Sequence, residues 1–356
     1  MIELTKIHPT FWKDHTARLV KIVADLVKMK DFDEGVRSQA CEIVMHLAEE
    51  VPAILRKISD IKTDFFPALV QMLTECETDM DVWAETFEEE NGTNNNAYST
   101  AISNLDRLSV QMKQTLTLEA CGSLISECLK HSDWNVRQAG YMTSGLITAS
   151  CKDHMRSNMD VAFQSACQGI SDAHVRVKYA ALFNLTQLLD HLKPLPQKKY
   201  HAELVPALLK IVNEEQTIKL KTCALNCLYQ FIAGLIEEDK NEIEETKKSS
   251  EIINIYTDGL FKTLISNLNA LISSNDQNEL SMHMLDANMN VLNTAIDLIE
   301  EDFAKYFNEF MPLMVQILSV VKAETPEQKK IRARVIESMG VMIQSVSENK
   351  EFLPVV

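Results

Sequence analysis

Ser132-Asp133-Trp134-Asn135-Val136-Arg137 and Ser171-Asp172-Ala173-His174-Val175-Arg176 are one phrase written twice, with the two arginines 39 residues apart. A period of that size fits one pair of antiparallel helices, which cannot bury its apolar face alone and does so against the next pair. The phrase therefore predicts a stack of helix pairs, and the rest of the chain tests it.

Val36-Arg37, Ile218-Lys219 and Ile331-Arg332 repeat its ending, an apolar residue followed by a base at the start of a helical apolar pattern. A second signature recurs on the other helix of the pair: Phe66-Pro67-Ala68-Leu69, Val205-Pro206-Ala207-Leu208 and Met311-Pro312-Leu313-Met314. Proline is tolerated in the first turn of a helix, where its missing donor has no partner anyway, so these prolines are expected at helix starts. With 46% hydrophobic residues and only 9 Gly and 9 Pro in 356, the chain is foldable and poor in turns. The fold class expected is all-α, an α-solenoid or superhelix of seven HEAT-type helix pairs.

Stop and start signals place the pairs at residues 14–50, 60–112, 114–151, 155–192, 199–237, 251–302 and 304–349. Residues 1–356 are expected to form one continuous array, since a solenoid has no single core to outgrow. Glu237 to Lys248 reads as a mixed-charge connection between pairs five and six. Inside pair two, residues 75–96 break the pattern: from Glu75 to Glu90 there are eight acids and no base. Trp83 and Phe87 within this run are larger than a solvating loop needs. It reads either as a solvated insertion or, given its two aromatics, as an element that docks a basic partner through Glu75, Glu77, Asp79, Asp81, Trp83, Glu85, Glu88, Glu89 and Glu90.

The net charge of −16 favours basic partners and argues against direct binding of nucleic acid. No apolar stretch approaches the length of a membrane span, and Met1 to Lys6 lacks the pattern of a signal peptide. The 8 Cys sit at apolar helical positions without a CxxC, so they read as reduced, buried thiols of an intracellular protein. There is no phosphate-cradling Gly-rich loop, nucleophile elbow or His-Glu-x-x-His, and the 9 His have no metal-ligand spacing. No catalytic residue, metal or cofactor is expected.

Asp133 and Asp172 each precede a helix and are expected to cap it, with Arg137 and Arg176 one turn in. The aspartate of one repeat reaching the arginine of the next would build a ladder that fixes stacking. That ladder is interrupted at Gln216-Thr217-Ile218-Lys219. Ligand contacts are expected from the second helices, with Asn135, Gln138, Asn184, Gln187, Asn226 and Gln230 as candidates by position. Asp286, Asn290, Asn293 and Asp297 join them, spaced 4, 3 and 4 apart and so on one helical face.

In order along the chain, Asp81-Val82-Trp83, Asn104-Leu105-Asp106-Arg107-Leu108, Asp133-Trp134-Asn135-Val136-Arg137-Gln138-Ala139-Gly140, Val175-Arg176-Val177-Lys178-Tyr179, Lys198-Lys199-Tyr200-His201 and Phe310-Met311-Pro312 resemble the importin-β family of nuclear transport receptors, most closely its importin-5 type. The resemblance covers roughly residues 34 to 352. It implies a concave face of second helices that binds basic nuclear localisation signals or folded basic cargo, with release by the GTP form of the GTPase Ran. It implies contact between Ran and the acidic insertion, nucleoporins as a further partner class, a monomer, and shuttling between cytoplasm and nucleus. Family members are much longer, so the chain is expected to be a central fragment or truncated relative. The competing reading is a general HEAT scaffold, such as a phosphatase regulatory subunit or a tubulin-binding array.

Overall fold

The computed structural model describes residues 8–85, 96–236, 243–274 and 276–347. Among these residues every regular element is helical. Their contacts gather into two compact units, residues 1–83 with 87–192, and residues 84–86 with 193–356.

In the first unit α1 (Thr16–Lys28) pairs with α2 (Glu34–Glu50), and a short α3 (Pro52–Leu55) and a π-type turn at Ile61–Phe65 lead into α4 (Phe66–Met72). After α5 (Met80–Glu85) come α6 (Ala97–Leu129), α7 (Trp134–Leu146), α8 (Lys152–Ser157), α9 (Met159–Gly169) and α10 (Val175–His191). α6 is two helices joined at a kink: Lys113, at φ 65° and ψ 162°, breaks it at the position where the sequence places the boundary between pairs two and three. Helix starts follow their side chains. Asp33, Asn96 and Asp133 accept from the backbone N–H of Val36 (3.2 Å), Ser99 (2.7 Å) and Asn135 (3.1 Å), satisfying donors no helix can pair internally.

Asp172 corrects the sequence reading. The cap of α10 is His174, whose Nδ1 accepts from Arg176 N–H at 3.3 Å, while Asp172 accepts from His174 N–H at 2.9 Å. The carboxylate is drawn aside by Arg137, which leaves the imidazole in the capping place.

α7 packs against α10 more extensively than any other two helices of the chain. A small residue permits the approach: a Cβ on Gly145 of α7 would stand 2.7 Å from Phe183 Cε1 and 3.2 Å from Asn184 Cα of α10. At the end of α9, a Cβ on Gly169 would stand 2.5 Å from Tyr141 Cζ and 2.6 Å from Ala181 Cβ, so only glycine fits there.

The second unit contains α11 (Leu195–Glu214), α12 (Ile218–Ile236), α13 (Ile243–Asn254), α14 (Thr257–Ser274), α15 (Glu279–Ile299), α16 (Ala304–Val320) and α17 (Pro326–Val346). α13 occupies part of the stretch read as a linker. Phe261, Phe303, Tyr306 and Phe310 form an edge-to-face aromatic cluster, with Phe261 centroids 4.6 to 5.8 Å from the others. α17 starts in a capping box, in which Thr325 Oγ1 accepts from Gln328 N–H and Gln328 Oε1 accepts from Thr325 N–H, both at 3.2 Å.

Two of the three signature prolines are not at helix starts. Pro67 lies in the first turn of α4, but Pro206 and Pro312 sit inside α11 and α16. Each removes one ladder bond. Buried residues beside each proline, Leu204, Val205 and Leu208 in one and Phe310, Leu313 and Met314 in the other, hold the turn by packing.

Candidate basic-ligand face

The base at the start of two second helices, Arg37 and Arg137, has a double role. Arg37 Nε donates to the carbonyl of Val27 at 2.9 Å, near the end of the preceding helix, and its two terminal nitrogens donate to Glu75 at 2.7 and 2.8 Å. Arg137 does the same, with Nη1 donating to the carbonyls of His131 (3.1 Å) and Ser132 (2.7 Å), and Nε and Nη2 donating to Asp172 at 2.8 and 3.0 Å. Arg332 repeats the carbonyl half, donating to Leu318 and Val321. One guanidinium thus closes its own pair and grips the acid of the next, which suits its rigid fork of donors. Asp133 serves as the cap of α7. Arg176 is 1% exposed and lies 5.2 Å from the Trp83 ring and 5.1 Å from the Tyr98 ring.

This arrangement reassigns much of the acidic run. Glu75 is a rung rather than a docking acid, held by Arg37. Glu77 accepts from Asp79 N–H at 2.8 Å, and Asp79 accepts from the N–H groups of Asp81 and Val82 at 3.0 and 3.3 Å, which starts α5. Trp83, expected to face a partner, is 2% exposed. Asp79, Asp81 and Glu85 are exposed. Phe87, Glu88, Glu89 and Glu90 lie outside the described residues.

The second-helix candidates divide by burial. Gln138 and Asn184 are corrections: both are buried, Gln138 at 1% and Asn184 at 2% exposure. Gln138 donates to the Leu73 carbonyl and accepts from the Tyr98 hydroxyl at 3.4 Å, joining pairs two and three. Asn226 is exposed, and Asn135, Gln187, Gln230, Asn290 and Asn293 are half-buried. The Oδ1 atoms of Asn135 and Asn293 are buried with no hydrogen-bond partner among the described residues.

The acids on these helices fall into two classes. Asp286 is neutralised by Lys330 at 2.9 Å and Arg334 at 3.2 Å, and Glu42 and Glu49 are both held by Arg107 at 2.8 Å. Asp106 and Asp297 have no base within ion-pair distance among the described residues. Both side chains are exposed, yet the groups packed around them partly desolvate the carboxyls and push both above the ordinary range; at Asp106 the charge of His191 opposes this. Asp106 appeared in the sequence only inside a longer resemblance. No spacing rule marks it, because its distinction is the lack of a neighbouring base. A partly desolvated, unpaired carboxylate is relieved by an ammonium or guanidinium, through a charge-assisted hydrogen bond.

No cysteine of the described residues forms a disulfide, and burial raises Cys41 and Cys121 to about 12 and Cys151 to about 11, which keeps these three as thiols at neutral pH. No helix of the described residues is long and apolar enough to cross a membrane.

Residues 29–118 match the family model of the Importin repeat. Over 352 residues the chain is 21% identical to importin subunit beta-3 of Saccharomyces cerevisiae, covering 98% of this chain and 30% of that protein. The crystal structure of Kap121p superposes with a TM-score of 0.81 at 20% identity, covering 99% of this chain and 32% of that one. Kap121p bound to RanGTP superposes with a TM-score of 0.73 at 19% identity, covering 99% and 34%. The chain therefore spans about a third of the length of these relatives, and the structural likeness shows a shared fold of stacked helix pairs.

Proposed function

We propose that this chain, which belongs to the importin-β family of nuclear transport receptors, binds basic segments of cargo on the face carried by its second helices. The observation that carries the reading is an uncompensated, exposed carboxylate on a second helix of each unit, Asp106 in the first and Asp297 in the second, each without a base in ion-pair distance among the described residues. A Lys- or Arg-rich segment supplies what these sites lack. The net charge of −16 adds long-range attraction and speeds encounter. The solved relative bound to RanGTP supports Ran in its GTP form as the releasing partner, with the exposed acids Asp79, Asp81 and Glu85 as its contacts. On this reading the protein works in cytoplasm and nucleus as a carrier and performs no chemistry.

The test is a fluorescence-anisotropy titration of a Lys-rich nuclear localisation peptide, with a scrambled peptide of equal charge, at physiological salt. Preference for the authentic order, weakened about tenfold by Asp106→Asn or Asp297→Asn, supports the reading; tenfold is ~1.4 kcal/mol of binding. Equal binding of both peptides that vanishes as salt rises would leave only the attraction of an acidic surface for bases.

A further inference from the structure

In an array of helix pairs each pair is expected to touch only its immediate neighbours. The first unit breaks that pattern at Trp83. Trp83 is the one buried side chain of α5, while Asp81, Val82 and Glu85 beside it are exposed. Its ring meets Tyr179 edge-on, with centroids 5.5 Å apart at 84°. The Arg176 guanidinium lies 5.2 Å from the same ring and 5.1 Å from that of Tyr98. Tyr98 and Trp83 belong to pair two, whereas Arg176 and Tyr179 belong to α10 of pair four. The contact therefore skips pair three.

We propose that the acidic insertion is an internal brace: α5 carries Trp83 across pair three and locks it on Arg176 and Tyr179, fixing the spacing of pairs two and four. Three features support a mechanical role. The guanidinium is 1% exposed between two aromatic faces, a setting in which cation–π attraction is strong and separation leaves a charge buried without its rings. The anchor is aromatic and buried, whereas Asp81, Val82 and Glu85 beside it are exposed, so of α5 only this ring is packed into the fold. The place of attachment is the first turn of α10, next to the His174 cap and the Asp172 rung, where a small rotation changes the stacking of the following pair. A partner that draws on the exposed acids of α5 must work against this anchor, so partner binding and the opening of pairs two to four are coupled.

Hydrogen–deuterium exchange on the full chain tests the brace. In Trp83→Ala, peptides covering residues 97–101 and 175–180 are expected to exchange at least tenfold faster, with α2 and α12 at wild-type rates. Trp83→Phe, which keeps a ring, is expected to fall between. Arg176→Lys, which keeps the charge but not the planar stack, is expected to match Trp83→Ala, and the double variant to add little to either, as residues acting through one contact should. Unchanged exchange at 175–180, additive effects, or acceleration spread evenly over both units would overturn the brace. If Trp83→Ala does not fold, the Trp83→Phe and Arg176→Lys pair decides by the same criteria.

Discussion

Arg37 and Glu75 stand 38 positions apart in sequence and are joined by two hydrogen bonds, of 2.7 and 2.8 Å, with the arginine side chain 1% exposed. The first acid of an insertion that looks like a solvated, partner-seeking loop is thereby a structural rung. Removing one member of such a pair leaves a buried charge. Glu75→Ala is expected to cost about 3 to 5 kcal/mol of stability, and Arg37→Met with Glu75→Leu to recover most of it. Denaturant midpoints of the three proteins check this; a loss below ~1 kcal/mol for Glu75→Ala would mean the pair behaves as a surface bridge.

His174 and Asp172 predict a response to acid. Burial, helped by the nearby arginines, lowers the His174 pKa below its usual value, so the folded protein resists a proton the unfolded chain accepts. Stability from this site is complete above about 6.5 and declines as pH falls below it. At Asp172 burial opposes ionisation, but the Arg137 guanidinium and the His174 N–H outweigh it and hold the pKa below the ordinary carboxylate value. Its contribution is present above about 4 and disappears as pH falls through its folded value. His174→Asn, which keeps a capping acceptor, is expected to remove the first decline and leave the second. Thermal midpoints measured from neutral to acid pH separate the two.

Lys113 sits at φ 65° and ψ 162°, a region that favours glycine. Lys113→Gly is expected to stabilise by about 1 kcal/mol, while Lys113→Val, with its branched Cβ, destabilises by about 2 kcal/mol. Equal midpoints for the two variants would contradict the break between pairs two and three.

Gly169 and Gly122 make a matched comparison. Alanine at 169 meets Tyr141 and Ala181 and is expected to cost about 1 to 3 kcal/mol. Alanine at 122 meets nothing within 4 Å and is expected to gain about 0.5 to 1 kcal/mol from helix propensity. Thermal unfolding of both variants tests whether the two sites differ in sign.

Asp106 predicts a pH limit on ligand binding. Because desolvation by its neighbours raises the carboxyl of this exposed residue above the ordinary range, affinity for a basic peptide is expected to fall at a higher pH than a fully solvated aspartate would give. Asp106→Asn should flatten that dependence and leave the unfolding midpoint unchanged or raised. A wild-type pH profile identical to that of Asp106→Asn would remove Asp106 from the binding face.

The sequence by itself determined the repeat. Helix pairing depends on local apolar periodicity and caps, so the helix start at Asp133 and the break at Lys113 were legible, whereas the direction of the ladder was not: the arginine of one repeat grips the aspartate of the next. Tertiary structure decided what each charge and ring does. Whether an acid is neutralised, as Glu75 and Asp286 are, or left uncompensated, as Asp106 is, depends on which base a neighbouring helix brings within about 3 Å, and composition carries no record of that. Trp83 shows the same limit: an aromatic in an acidic run looks exposed until the fold sets Arg176 and Tyr179, more than 90 residues away, against its ring. Local propensity acts over a few residues, whereas burial and charge pairing are fixed by contacts between residues far apart in the chain.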